Sequence, residues 1–361
     1  SIKISTPENA QPHVIKTYKG DIAVAHNGII INSGELMEEM FKAGYAYVIG
    51  SEEETMAYII TCALAKGKSI PRAVLGMMRR IQGSYSLVMM IGDRVFALRD
   101  PLGIKPLCLG KTNNGFVAAS ESAALDIVNA KFLRDVVPGE LVELTPTKII
   151  SHKLMHERNK AHCFFEWVYF ARNDSVIDGR EVYEARRRIG WRLAKEHPAD
   201  ADVVIAVPDS GRAHGCGYAI GIGLPFAEGL MKNRYAPRTF ILPEEVDRDR
   251  RVKMKLNPVR SVVEGKRVVL VDDSIVRGTT MRRIVNIVRG AGAKEVHVRI
   301  GSPPIIAPCY FGIDMTTREQ LIAPGKSVEA IAKEITADSL GYLSVDGLVE
   351  ALQIERKDLC L

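Results

Sequence analysis

Val268-Val269-Leu270-Val271-Asp272-Asp273-Ser274-Ile275-Val276-Arg277-Gly278-Thr279-Thr280 is an apolar strand that ends in two acids. It then turns through a short loop into a helix beginning near Met281. Each part of the string has a physical use. The carboxyl ends of strands are where open α/β sheets receive ligands. Gly278 lets backbone approach an anion closely, and Thr279 and Thr280 fall at a helix N-terminus, whose free N–H groups and dipole attract negative charge. Asp272 and Asp273 offer hard oxygens suited to hydroxyl groups or to Mg²⁺. An Asp-Asp pair alone says little; the thirteen-residue order says much more.

Around this string, strands alternate with helices. Val203-Val204-Ile205-Ala206-Val207 leads to a helix near Arg212, and Glu295 to Ile300 follows as a further strand. Near-continuous Val/Ile/Leu strands separated by helices predict a parallel sheet covered on both faces. A basic amphipathic helix is expected over 177–196. Val207-Pro208-Asp209-Ser210-Gly211-Arg212 is a second strand-to-helix loop suited to an anion. Lys232 through Lys255, with Arg238 between, is rich in Lys and Arg and reads either as a solvated charged loop or as a lid that excludes water.

Residues 1 to about 150 differ in style. Ile22 to His26 reads as a strand ending at the turn pair Asn27-Gly28. Ser51 is placed to cap a helix with Glu52, Glu53 and Glu54 in its first turn, and Pro71 to open another. After Gly83, strands follow in close succession, which predicts antiparallel sheet.

Composition sets the frame. The chain has 361 residues, 47% of them hydrophobic, enough for two cores. The apolar runs are too short to span a bilayer, and the expectation is a chain without a secretory signal. Six scattered cysteines suit a reducing, cytoplasmic setting, with free thiols or metal ligands as their roles. The net charge of +6 is concentrated between Lys232 and Arg289. Such a half suits nucleic acid or a multiply phosphorylated small substrate, and composition does not choose between them.

The string from Val268 to Thr280 resembles the signature with which type I phosphoribosyltransferases bind 5-phosphoribosyl-1-pyrophosphate (PRPP). In the first half, Ala25-His26-Asn27-Gly28, Arg99 to Leu107, Ala119-Ser120-Glu121-Ser122 and Pro138-Gly139-Glu140 resemble the class II glutamine amidotransferase domain, an α+β N-terminal-nucleophile fold. Together, and with Tyr169 to Ser175, Lys232 to Tyr235 and Gly312 to Asp314, they make the chain similar to the glutamine PRPP amidotransferase family from Asn9 onward. The resemblance implies an amidotransferase domain over 1–157, incomplete at its start, an α/β phosphoribosyltransferase domain over 158–325, and a helical segment over 326–361.

That family would release ammonia from glutamine and place it on PRPP, forming 5-phosphoribosylamine and pyrophosphate at the opening of purine biosynthesis. By resemblance, Asn27 and Gly28 form the oxyanion hole. Asp272 and Asp273, with Ser210, hold ribose hydroxyls and Mg²⁺. Ser274, Gly278, Thr279 and Thr280 bind PRPP, and Lys232, Arg238 and Lys255 belong to a closing lid. Glu52 stands where the family's glutamine site has Asp. The family nucleophile is an N-terminal cysteine, and Ser1-Ile2-Lys3 does not match it, so the expectation is a chain cut at both ends that uses free ammonia. Cys163, Cys309 and Cys360 match three ligands of the four-iron, four-sulfur branch, with a fourth expected past Leu361. Purine nucleotides as inhibitors, a homo-oligomer (a homotetramer), and no nucleic acid or membrane partner complete what the resemblance implies. A rival reading is a non-catalytic PRPP-sensing regulator.

Overall fold

The computed structural model describes residues 10–17, 20–47, 50–155, 160–233, 256–313, 315 and 317–361. In the first half, alternation of side chains along extended backbone builds a six-stranded antiparallel sheet. Its order is His13–Ile15, Ile22–Ile30, Gly83–Ile91, Arg94–Arg99, Glu140–Leu144 and Ile149–Lys153. On strand Gly83–Ile91, Leu87, Met89 and Ile91 are buried while Met90 is exposed. The inward set packs with Met56 and Ile60 of helix Glu52–Ala65 and Val74 and Met77 of helix Ile70–Met78. Burying each such side chain contributes roughly 1.5–3 kcal/mol.

Ser51 caps the first of these helices as expected. Its hydroxyl accepts the Glu54 amide at 3.0 Å, and the Glu54 carboxylate accepts the Ser51 amide at 3.2 Å. Pro71 occupies the first turn of the next helix. A smaller antiparallel sheet of Gly115–Ala119, Cys108–Thr112 and Lys131–Asp135 completes this half.

The second half contains the expected parallel sheet, ordered Val203–Ala206, Arg267–Asp272, Glu295–Ile300, Ser339–Tyr342. One face buries Val268, Leu270, Val296 and Val298 against helix Thr279–Gly290. The other buries Val204, Val269 and Val271 against helices Val182–Glu196 and Gly211–Ile222. That two-sided burial is why these strands are apolar without alternation.

Two expectations are refined. The helix anticipated from 177 begins at Val182, because Asp178 (φ +46°) and Gly179 (φ +73°) turn the chain between Val176–Ile177 and Arg180–Glu181. Positive φ at both central residues is what a two-residue hairpin demands. Past residue 325, helices Val328–Glu334 and Val345–Leu352 do form, and between them strand Ser339–Tyr342 joins the parallel sheet. Among the described residues, no helix is long and apolar enough to cross a membrane.

The halves meet through buried charge. The Arg99 guanidinium, 1% exposed, donates to both carboxylate oxygens of Asp178 at 2.8 and 2.9 Å. Lys105, 2% exposed, donates to Glu166 at 2.9 Å.

Candidate active site

Strand Arg267–Asp272 delivers the two acids to the rim of a cavity of about 700 Å³. The chain continues through Gly278, whose φ of +73° favours glycine. A Cβ there would stand 2.2 Å from Ile322 Cδ1, so the turn is also closed to larger residues by packing. Helix Thr279–Gly290 starts at once, with Thr279 and Thr280 on the cavity wall.

Asp273 is buried and accepts from the Ser210 hydroxyl and, at 2.6 Å, from the Ser274 hydroxyl. Asp272 accepts the Asp273 amide at 2.9 Å. Burial, then the neighbouring Asp273 charge, hold the Asp272 carboxyl well above the usual range. Burial also raises Asp273, opposed by Ser210, Ser274 and the charge of Arg186. Two acids crowded in this way favour an arriving cation or hydroxyl donors.

Ser210 comes from the neighbouring loop, where Gly211 hugs the strand: a Cβ on it would meet the Val271 carbonyl oxygen at 2.9 Å. Thus Ser210, Asp272, Asp273, Ser274, Gly278, Thr279 and Thr280 all line one cavity. Lys232 lies outside this lining, exposed on strand Leu230–Lys232, and donates to Asp209 of the same loop at 2.8 Å. Arg238 and Lys255 lie outside the described residues.

Three further residues stand in the wall: Phe165, not singled out from sequence, and Tyr169 and Phe170, which sequence reading placed in the resemblance string Tyr169 to Ser175 without a role at this site. Tyr169 and Phe170 sit on the π-helical turn Glu166–Phe170, a geometry often found at functional sites. Glu166 pins that turn to Lys105, whose ammonium lies 5.0 Å from the Phe170 ring centre.

In the first half, Asn27 is exposed and Gly28 adopts φ +145°. A Cβ on Gly28 would meet the Ser84 carbonyl oxygen at 2.0 Å, so only glycine fits. Beside them is a network that sequence reading missed. His26 Nδ1 is 2.8 Å from Glu53, and its Nε2 is 3.3 Å from Glu52. Glu52 also accepts the Ile30 amide at 3.0 Å, and Gln11 donates to Glu53 at 2.7 Å. Burial pulls the His26 imidazole down, but the Glu52 and Glu53 hydrogen bonds outweigh it and lift the pKa to about 9. Burial pushes Glu53 up, and His26 more than reverses this, bringing it to about 2. The nearest signals in the sequence were the three consecutive acids after Ser51, read as dressing for a helix dipole, and the resemblance that sets Glu52 at the glutamine site.

The three cysteines converge in part. Cys163 and Cys360 are register partners in a short parallel ladder, His162–Cys163 with Leu359–Cys360. Cys309 packs in the same apolar cluster as Cys163. Burial, opposed by Lys105, leaves the Cys163 thiol pushed up to about 12. Among the described residues, no group of three or more His, Cys, Asp or Glu is placed to hold a metal.

Comparison with known proteins identifies both halves of the chain. Residues 1–127 match a glutamine amidotransferase domain family, and residues 173–300 a phosphoribosyl transferase domain family. An amidophosphoribosyltransferase of Methanocaldococcus jannaschii is 51% identical, over 98% of this chain and 78% of that protein. One from Bacillus subtilis is 43% identical over 96% of this chain and 72% of its own length. The solved B. subtilis glutamine PRPP amidotransferase complexed with ADP and GMP superposes with a TM-score of 0.89 at 43% identity, covering 96% of this chain and 76% of that one. With both domain types in order, near-complete coverage and a strand-end acid pair on the cavity, the chain belongs to the amidophosphoribosyltransferases, the glycosyltransferases that open purine biosynthesis.

Proposed function

We propose that the cavity beneath Asp272 and Asp273 binds PRPP and that ammonia displaces its pyrophosphate there. The observation that carries this is the convergence of Ser210, Asp272, Asp273 and the Gly278–Thr280 helix start on one cavity. Thr279 and Thr280 hold the 5-phosphate through hydroxyls and helix-terminal amides. The acids hold the ribose hydroxyls. The crowded carboxylates with Ser210 also suit Mg²⁺, which would neutralise charge on the leaving pyrophosphate when bound. Nitrogen bonds to the anomeric carbon as the carbon–oxygen bond to pyrophosphate breaks, its electron pair leaving with pyrophosphate. The new ammonium then gives one proton to solvent. Tyr169 and Phe170 shield this carbon from water, which would otherwise compete as nucleophile.

At the other site, Asn27 and the Gly28 N–H stabilise the oxyanion of glutamine hydrolysis. Glu52 contacts the glutamine amine, and its pairing with His26 Nε2 at 3.3 Å orients that carboxylate. The solved B. subtilis enzyme is complexed with ADP and GMP, which supports purine nucleotides as inhibitors of this chain as well.

Cys163 lies beside Cys360 in the ladder and packs in one apolar cluster with Cys309; the three thiols would supply three of the four ligands of an iron–sulfur cluster, although among the described residues they are not gathered into a metal-holding group. Iron and sulfide content after anaerobic reconstitution, lost in Cys163→Ser, tests this; no iron uptake overturns it.

The transferase reading is tested by pyrophosphate release from PRPP and Mg²⁺ with ammonium. Asp272→Asn/Asp273→Asn is expected to lower release about 10²-fold or more. Tight PRPP binding without any release would favour a PRPP-sensing regulator instead.

A further inference from the structure

The π-helical turn that carries Tyr169 and Phe170 to the cavity is held from behind. At Ala171 the chain leaves the turn in extended backbone (φ −66°, ψ 151°), so the carbonyls of its last residues have no helical amides to accept. Side chains from the helices that cover the parallel sheet supply donors instead. Arg186, buried on helix Val182–Glu196, donates from Nε to the Trp167 carbonyl oxygen at 2.7 Å and from Nη2 to the Ala171 carbonyl oxygen at 2.8 Å. Its guanidinium therefore spans the turn from the second residue to the cap. Nη1 donates to the Asn173 side-chain oxygen at 2.7 Å. His214, buried on helix Gly211–Ile222, lies 3.1 Å through Nε2 from the Val168 carbonyl oxygen between them.

All three acceptors of Arg186 are neutral. Among the described residues no carboxylate pairs with it directly, and the opposite charge acting on it most is that of Asp273, followed by Glu121. Burying a cation without a direct partner is unfavourable, so an apolar side chain would suit mere packing better. What a guanidinium adds is a planar fork that fixes three oxygens in one geometry, which an ammonium does not.

We propose that Arg186 is a positioning residue for the transfer step: its fork holds the Glu166–Phe170 turn so that Tyr169 and Phe170 close the cavity against water. This rests on the reading of the cavity as the PRPP site. Arg186 is not part of the cavity lining and acts through the turn. With the wall loosened, water competes with ammonia. Its oxygen bonds to the anomeric carbon as the carbon–oxygen bond to pyrophosphate breaks, the electron pair leaving with pyrophosphate and one water proton going to solvent.

The test is pyrophosphate release from PRPP and Mg²⁺ by the full chain, with and without ammonium. The ratio of the ammonium-free rate to the ammonium-driven rate reports the leak to water. A second readout, needing no PRPP, is acrylamide quenching of Trp167 in a Trp191→Phe background, since the chain has two tryptophans. Arg186→Lys keeps the charge and loses the fork. It is expected to raise the ratio about tenfold and to increase quenching. Phe170→Leu should raise the ratio similarly, and the two changes together should exceed either by no more than about threefold. A purely structural role would lower the melting temperature and leave the ratio in place. Should Arg186→Lys not fold, Asn173→Ala removes one acceptor with the guanidinium retained, and a rise of about threefold is expected. An unchanged ratio in folded Arg186→Lys, or in Asn173→Ala where the lysine variant does not fold, overturns the proposal, as do effects of Arg186→Lys and Phe170→Leu that multiply. A wild type that releases no pyrophosphate with ammonium overturns the transferase reading, and this inference with it.

Discussion

His26 and Glu53 show how much chemistry two residues can hide. Their side chains meet at 2.8 Å although 27 positions separate them in the chain. Paired, each holds the other charged, His26 up to about 9 and Glu53 down to about 2. Relative to unfolded values of 6.5 and 4.5, His26 contributes stability that is full below pH 6.5 and lost as pH rises through 9. Glu53 contributes stability that is full above pH 4.5 and lost as pH falls through 2. The pair is worth on the order of 2–3 kcal/mol, shared rather than added. Urea midpoints across this range should show a plateau with two falling arms, and Glu53→Gln should lower the plateau and flatten both. Arms that persist unchanged in the variant would assign them to other groups. At this scale the PRPP string was readable because strand end, acids, glycine and helix start are contiguous. The His26 network was not, because its partners Glu52 and Glu53 lie on another element, far along the chain.

At the scale of elements, periodicity and turn chemistry carried most of the fold. Leu87, Met89 and Ile91 announce one buried sheet face, and unbroken Val and Leu runs announce strands buried on both. The hairpin at Asp178-Gly179 was readable too, since Asp-Gly is a strong turn signal, but the helical pattern beyond it masked the strands. The strand–turn–helix unit around Gly278 depends on both φ and space. Gly278→Ala is expected to cost about 1–3 kcal/mol and to weaken PRPP binding. Adding Ile322→Val should recover part of the stability by relieving the overlap at Cδ1. Equal melting temperatures for wild type and Gly278→Ala would show that the turn relaxes freely.

For the molecule as a whole, the junction between halves is the least readable part, because every contact in it is distant in sequence. Arg99 reads as the end of a strand and Asp178 as a turn residue; only the fold joins them. Their hydrogen bonds and opposite charges outweigh burial and keep Arg99 charged, so the pair is sensitive to loss of one member. Asp178→Asn tolerates the same positive φ yet removes the counter-charge. It should destabilise the chain by about 3–5 kcal/mol, read as a lower urea midpoint, and Arg99→Met with Asp178→Leu should recover much of that. A variant as stable as the wild type would mean that water reaches Arg99.

The ladder that sets Cys163 beside Cys360 has a kinetic side. Roughly 200 residues separate its two strands, so the loop between them is entropically costly to close before the parallel sheet exists. The pairing should therefore be the last step of refolding. Pulse alkylation during refolding should find Cys163 among the last thiols to gain protection; early protection would place the ladder in the folding nucleus.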